Sequence, residues 1–262
     1  MARAGARIKL PPPYLRRVWM PGTIADADAD PPAVDRTAYP FNIPLFGDPG
    51  FEIRFEKPVT ILVGENGSGK STLLEAIAVL AGFSEGGGGY GHRAVERSDI
   101  SGTDGGILAD ALRAAWLPKV GRGFFFRAET FFSLARYVDQ AAFDSNAGRP
   151  DYLSWSHGEG FLNFFEDRAD RQGIYIFDEP ESALSPSRQF DFLKLLRRIQ
   201  RANNSQVIMA THSPILMALP DADLWQISPL GIEPVRLEDT AHYRLYREFM
   251  LYPHETVEAM IE

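Results

Sequence analysis

Apolar positions along the chain follow two periods, one of two residues and one of three to four. Phe51-Glu-Ile-Arg-Phe55 alternates apolar and polar side chains, which predicts a half-buried strand, and Val59-Thr-Ile-Leu-Val63 predicts a buried one. Over Ser71–Leu80 the pattern changes, with Leu73, Leu74, Ile77 and Leu80 at helical spacing. Tyr14–Met20, Gly123–Phe126, Ile174–Phe177, Gln206–Ala210 and Leu224–Ile227 read as further strands. Helices are expected over Ile107–Trp116, Phe131–Ala142, Gly158–Arg168, Ser187–Arg201 and Thr240–Glu262. Within the last, His242–Met250 either packs on the sheet or meets a partner. Strands alternating with helices imply an α/β fold with a mostly parallel sheet.

The stretches between these elements carry less information. Residues 1–50 are rich in Pro, Ala and Asp and read mainly as loops. The alternating acidic run Ala25–Asp30 reads as a solvated loop rather than a cation site. Gly86–Gly89 is expected to be a flexible surface loop, because no Gly-Lys-Ser follows it.

One glycine-rich segment is different. Gly64, Glu65, Asn66, Gly67, Ser68, Gly69, Lys70 and Ser71 fit the phosphate-loop pattern in full, with Thr72 next, between an expected strand and an expected helix. Gly67 and Gly69 let the backbone curl until its N–H groups converge on phosphate oxygens. The start of the following helix adds partial positive charge at the same point. Lys70 is then expected at the β- and γ-phosphates of ATP, and the Ser71 hydroxyl on Mg²⁺.

Ile174-Tyr-Ile-Phe-Asp178-Glu179 runs four apolar residues into two carboxylates. Open α/β sheets present ligand groups beyond the carboxyl ends of their strands. Asp178 is accordingly expected to hold Mg²⁺, and Glu179 to orient and deprotonate an attacking water.

Composition narrows the setting. The chain has 262 residues, 45% of them hydrophobic, enough for a sizeable core. It contains no cysteine, which excludes disulfides and thiolate metal sites and suits a cytoplasmic location. No stretch reaches the roughly 18 apolar residues of a membrane-spanning helix, and Pro11–Pro13 interrupts the start where a leader would be apolar, so direct membrane insertion is not expected. A formal net charge of −8 gives no support to unaided nucleic-acid binding, while leaving room for a local basic face.

The order of phosphate loop, Ser-x-Gly-Glu, apolar strand with Asp-Glu-Pro, and Thr-His-Ser resembles the ABC ATPases over about residues 55–230. Ser156, Gly158 and Glu159 stand where that family carries its signature, with His157 in place of the first glycine. Ser182-Ala-Leu-Ser185 resembles the short dimer-contact loop, and Thr211-His212-Ser213 the histidine switch. The resemblance implies a P-loop NTPase with a mostly parallel sheet flanked by helices, an antiparallel β edge and a small helical lobe. It implies one such domain over residues 1–262, with the lobe inserted at about 84–170 and a helical tail over 237–262.

It also implies a homodimer packed head to tail with ATP at the interface. Ser156, Gly158 and Glu159 of one copy would meet the γ-phosphate held by the other, and His212 would hold that phosphate, Glu179 and the water. Glu129 or Arg127 would take the place of the glutamine that couples metal to lobe, and Tyr39, Phe41 or Phe46 would stack on adenine.

Lys70 and Ser156 lie 86 positions apart, leaving no room for the long coiled coil of chromosome-organising relatives. Asp178-Glu-Pro-Glu181 and Thr211-His-Ser-Pro214 are closest to stand-alone AAA-, SMC- and OLD-like ATPases. The 48 residues after Pro214 are too few for the nuclease domain of OLD-type proteins. The expected activity is therefore Mg²⁺-dependent ATP hydrolysis in a soluble switch with a separate effector protein. The alternatives are a transporter's nucleotide-binding subunit and a nucleotide-sensing scaffold with negligible hydrolysis.

Overall fold

A strand in which every side chain is buried needs apolar layers on both faces, and a parallel sheet covered by helices supplies them. The computed structural model describes residues 10–22, 34–47, 50–89, 105–127, 157–169 and 171–261. In chain order its elements are β1 (Leu15–Trp19), α1 (Pro44–Gly47), β2 (Glu52–Arg54), β3 (Val59–Val63), α2 (Lys70–Ala81), β4 (Gly88–Gly89), α3 (Gly105–Ala111), β5 (Arg113–Trp116) and β6 (Gly123–Arg127). There follow α4 (His157–Ala169), β7 (Gly173–Asp178), α5 (Pro186–Ala202), β8 (Ser205–Ala210), α6 (Pro214–Met217), β9 (Asp223–Ser228), β10 (Gly231–Pro234), α7 (Ala241–Leu251) and α8 (Pro253–Ile261). Short 3₁₀ turns occupy Pro180–Ala183 and Leu237–Asp239.

The main sheet has the order β10-β9-β3-β8-β7-β6-β4. Its five inner strands are parallel, and β10 and β4 run antiparallel at the two edges. A separate antiparallel sheet has the order β2-β1-β5.

The two faces of the main sheet bury different side chains, as the pleat requires. Ile174 and Ile176 of β7, Ile208 of β8 and Phe125 of β6 join one core together with α2 and the small sheet. Tyr175, Phe177, Val207, Met209, Phe124 and Phe126 face the other way, into a second core. Helix α4 adds Phe161, Phe164 and Phe165 to that second core, at the spacing of one helix face. Phe126 stacks on Phe177 at 5.1 Å, while Phe165 and Phe192 lie 4.4 and 5.1 Å from the same ring. Each fully buried phenylalanine contributes about 1.5–3 kcal/mol by leaving water.

The small sheet is tied to the main one by a buried amide. Gln206 Oε1 accepts the N–H groups of Tyr14 and Leu15, both at 2.8 Å, and its Nε2 donates to the Leu15 carbonyl at 3.0 Å. The Tyr14 hydroxyl donates to the Asn204 carbonyl beside it.

Several expectations differ from the structure. Gly88 and Gly89 are buried as strand β4, not a surface loop; Gly88 takes φ 115°, a backbone conformation that favours glycine, and Gly89 pairs with Phe124 of β6. The helix expected over Ile107–Trp116 ends at Ala111, and Arg113–Trp116 instead becomes β5, paired with β1. That pairing is a distant contact, and it overrides local propensity. The tail is two helices rather than one, since Pro253 has no N–H with which to continue α7.

Neither tail helix has a fully buried residue, and Leu245, Tyr246, Phe249 and Met250 are exposed, so these apolar side chains are not covered by the sheet. The 84–170 interval, expected as a helical lobe, supplies α3 and α4 and also β4, β5 and β6. The helix expected over Phe131–Ala142 and the acidic run Ala25–Asp30 lie outside the described residues. Among the described residues, no helix is long and apolar enough to cross a membrane.

Replacing Gln206 by Leu strands three buried backbone groups. We expect a loss of at least about 2 kcal/mol in urea unfolding. A change under about 0.5 kcal/mol would refute the tie.

Candidate functional site

Strand register brings the candidate residues to one edge. Leu62 of β3 pairs with Ala210 of β8, Ala210 with Asp178 of β7, and Asp178 with Arg127 of β6. The chain therefore leaves β3, β8 and β7 at the same level, into Gly64, Thr211 and Glu179.

The loop from Gly64 to Gly69 leads into α2. A Cβ on Gly64 would sit 2.5 Å from the Ile227 carbonyl oxygen, so the close approach to β9 excludes any side chain. Gly69 precedes the helix with φ 98°, a left-handed conformation natural to glycine, and the side chains of Phe46 and Ile43 lie directly beneath it. Lys70 is buried, with its ammonium donating to the Gly64 and Glu65 carbonyls at 2.8 and 2.9 Å. Burial pushes its pKa down, against the opposing pull of Glu179, Asp178, Glu65 and Glu181.

Next to it, the Ser71 hydroxyl donates to Asp178 Oδ1 at 3.0 Å. Burial raises the Asp178 pKa, and the Arg127 guanidinium and the Ser71 hydroxyl oppose the rise. Arg127 lies between two buried carboxylates, 2.7 Å from Glu75 Oε1 on α2 and 3.6 Å from Asp178 Oδ2. Of the two candidates for the coupling position, Arg127 thus reaches the acidic strand end, while Glu129 lies outside the described residues. Ser71 and Asp178 offer two converging hard oxygens, a donor set that suits Mg²⁺ once phosphate and water complete the shell. Among the described residues, no group of three or more acidic or histidine side chains forms a metal cage by itself.

Glu179 adopts a left-handed backbone at φ 47°, a strained state for a non-glycine residue and one found often at functional sites. Its N–H donates to the Ala210 carbonyl at 3.0 Å, and the Ser182 hydroxyl donates to its carbonyl at 2.6 Å, which together hold that turn. Its carboxylate then points to His212, with Oε1 3.5 Å from Nε2. The His212 backbone is fixed from behind, since its main-chain N–H donates to Glu181 Oε1 at 2.5 Å. Burial raises the Glu181 pKa; burial and the nearby Lys70 charge lower that of His212. The following Ser213 caps α6 and donates to Gln189 of α5.

The signature candidates lie on α4. That helix begins at His157, so Gly158 and Glu159 occupy its first turn, and Ser156 lies outside the described residues. Glu159 pairs with Arg188 of α5 at 2.5 Å. Of the three aromatics, Phe41 and Phe46 are buried in the core, whereas Tyr39 is 44% exposed and its hydroxyl lies 2.7 Å from Thr72 Oγ1. The sequence pattern gave no hint of Glu75 as a buried acid, because it sits among the apolar positions of α2. Glu181 and His242 were missed as well, since their contacts depend on the loop geometry around His212.

The fold and the site define a P-loop ATPase. Residues 42–139 match the family model described as "AAA domain", and residues 161–218 the one described as "AAA domain, putative AbiEii toxin, Type IV TA system". The chain is 31% identical over 193 residues to the hemin import ATP-binding protein HmuV of Burkholderia thailandensis, covering 61% of this chain and 70% of that protein. It is 27% identical over 184 residues to the energy-coupling factor transporter ATP-binding protein EcfA of Pediococcus pentosaceus, covering 58% of this chain and 59% of that one. It is also similar to the SMC head domain from Thermotoga maritima, at 15% identity and a TM-score of 0.43, covering 86% of this chain and 100% of that one. The chain belongs to the ABC-type ATPases, which bind and hydrolyse ATP.

Replacing Arg127 by Leu leaves Glu75 and Asp178 buried without the guanidinium. We expect a loss of about 3–5 kcal/mol in urea unfolding, most of it regained in the Arg127→Leu/Glu75→Leu double variant. A double variant as unstable as the single one would refute the coupling.

Proposed function

We propose that two copies of the chain pair head to tail around ATP and Mg²⁺, forming a soluble cytoplasmic switch read by a separate effector protein. Residues 1–262 act as one ABC-type domain, with 84–170 as the inserted lobe and 237–262 as the tail. In this reading the triphosphate lies along Gly64–Thr72, and Lys70 exchanges its two carbonyl partners for the β- and γ-phosphates. Ser71 and Asp178 hold Mg²⁺. When bound, the ion supplies positive charge against the phosphate oxygens.

Glu179 orients the attacking water and takes its proton. His212 steadies Glu179 and the γ-phosphate. Ser156, Gly158 and Glu159 of one copy approach the γ-phosphate in the other, where the first turn of α4 favours negative charge. Tyr39 is the aromatic exposed to stack on adenine. The observation that carries the reading is the convergence of the Ser71–Asp178 pair, at 3.0 Å, and the Glu179–His212 pair, at 3.5 Å, beside the start of α2.

A second reading, the nucleotide-binding subunit of a transporter, draws support from the names of HmuV and EcfA. Against it stands Glu181 after Asp178-Glu-Pro, where the transporter form usually has Thr or Ser. Stimulation of turnover by a membrane partner alone would favour this second reading.

Glu179→Gln should reduce ATP turnover by about 10²- to 10⁴-fold while ATP still binds, and should form a dimer on a sizing column only with Mg·ATP. A variant that stays monomeric at saturating Mg·ATP contradicts the pairing. Tyr39→Ala should weaken ATP binding by about 1–3 kcal/mol while Tyr39→Phe keeps it. Equal affinity in all three proteins would remove Tyr39 from the site.

A further inference from the structure

The histidine beside Glu179 has a neighbour that nothing in its own loop supplies. His212 Nδ1 lies 2.8 Å from Nε2 of His242, which is in the first turn of the tail helix α7. The ring centroids are 4.9 Å apart with 52° between planes, so the rings meet edge to edge through their nitrogens rather than face to face. His242 is held at this point by a capped helix start. Buried Thr240 accepts the Tyr243 N–H at 3.2 Å and donates its hydroxyl to the Leu237 carbonyl at 2.8 Å. The main chain of His212 is fixed in turn by Glu181, which accepts its backbone N–H, and by the Ser213 cap of α6. Two capped helix starts thus hold the imidazoles against each other.

A neutral imidazole donates through one nitrogen and accepts through the other. Burial and Lys70 lower the His212 pKa, so the neutral form prevails at physiological pH. Its Nε2 faces Glu179 Oε1 at 3.5 Å, and an ionised carboxylate only accepts. A γ-phosphate oxygen at the same position would also accept. Both demand a proton on Nε2, which leaves Nδ1 bare and in need of a donor. His242 Nε2–H is the group in place to donate.

We propose that His242 is a positioning residue for ATP hydrolysis, donating from Nε2–H to His212 Nδ1 and so holding His212 in the tautomer that presents Nε2–H to Glu179 and the phosphate. This rests on the proposed role of His212. It also makes the tail part of the catalytic machinery: any partner that pulled α7 away would release His212 to the other tautomer and slow turnover without touching the nucleotide.

The test combines ¹⁵N NMR of the histidine rings with steady-state kinetics on the full chain. In the unaltered protein His212 should show the Nε2–H tautomer; in His242→Ala it should shift towards a mixture with Nδ1–H. His242→Ala should lower kcat about 10- to 100-fold with KM for ATP little changed, the scale of losing the partner that orients a histidine. His242→Gln, whose side-chain amide can donate from a similar position, should restore most of the rate. The inference is overturned by an Nδ1–H tautomer in the unaltered protein, or by His242→Ala that keeps both tautomer and kcat while His212→Ala is inactive. If His212→Ala itself hydrolyses ATP at the normal rate, the role assigned to His212 fails instead.

Discussion

A parallel sheet buried on both faces leaves its strands almost nowhere to carry polar chemistry except where they end. In this chain the five inner strands have aliphatic and aromatic side chains on either side, and the second core is crowded with phenylalanines. Registers between β3, β8, β7 and β6 then bring those strand ends level, and the loop after β3, the acidic pair and His212 meet at that edge. The phosphate loop lies more than a hundred residues before the acidic pair in sequence, and the histidine 33 residues beyond Glu179. No hinge or flexible lobe is needed to bring them together.

The electrostatics of that edge are balanced within it. Five acidic residues, Glu65, Glu75, Asp178, Glu179 and Glu181, lie around Lys70 and Arg127. Burial works against charge on Lys70, Asp178 and Glu181 alike, and each is offset by a neighbour of opposite sign or by a hydrogen bond. Such a cluster is costly to fold, because buried charges recover their lost hydration only through good geometry. It is well prepared for a ligand that brings both negative phosphate and a positive ion. Lys70, satisfied for the moment by two backbone carbonyls, can exchange them for phosphate oxygens without first being dehydrated.

Much of this was legible in the sequence, and the reasons are local. Val59–Val63, Ile174–Phe177 and Gln206–Ala210 are apolar runs too short for helices, and each became a buried strand. Gly64–Ser71 could be read because the chemistry of phosphate binding is written in consecutive residues. What could not be read depended on distant contacts. Arg113–Trp116 is a strand only because β1 lies alongside, and Gly88–Gly89 only because β6 does. Tyr39 separates from Phe41 and Phe46 only by exposure. His242 carries no signal at all: it is one of five histidines, thirty positions from its partner, on a helix whose other face is exposed.

The claim on which the rest stands is that a triphosphate occupies the curled loop ahead of α2. Calorimetric titration of ATP into the unaltered chain and into Lys70→Ala measures it directly. Loss of charge-assisted contacts to phosphate should weaken binding about 10- to 100-fold, with the circular dichroism spectrum unchanged. Equal affinity in a folded Lys70→Ala protein would mean that the nucleotide binds elsewhere.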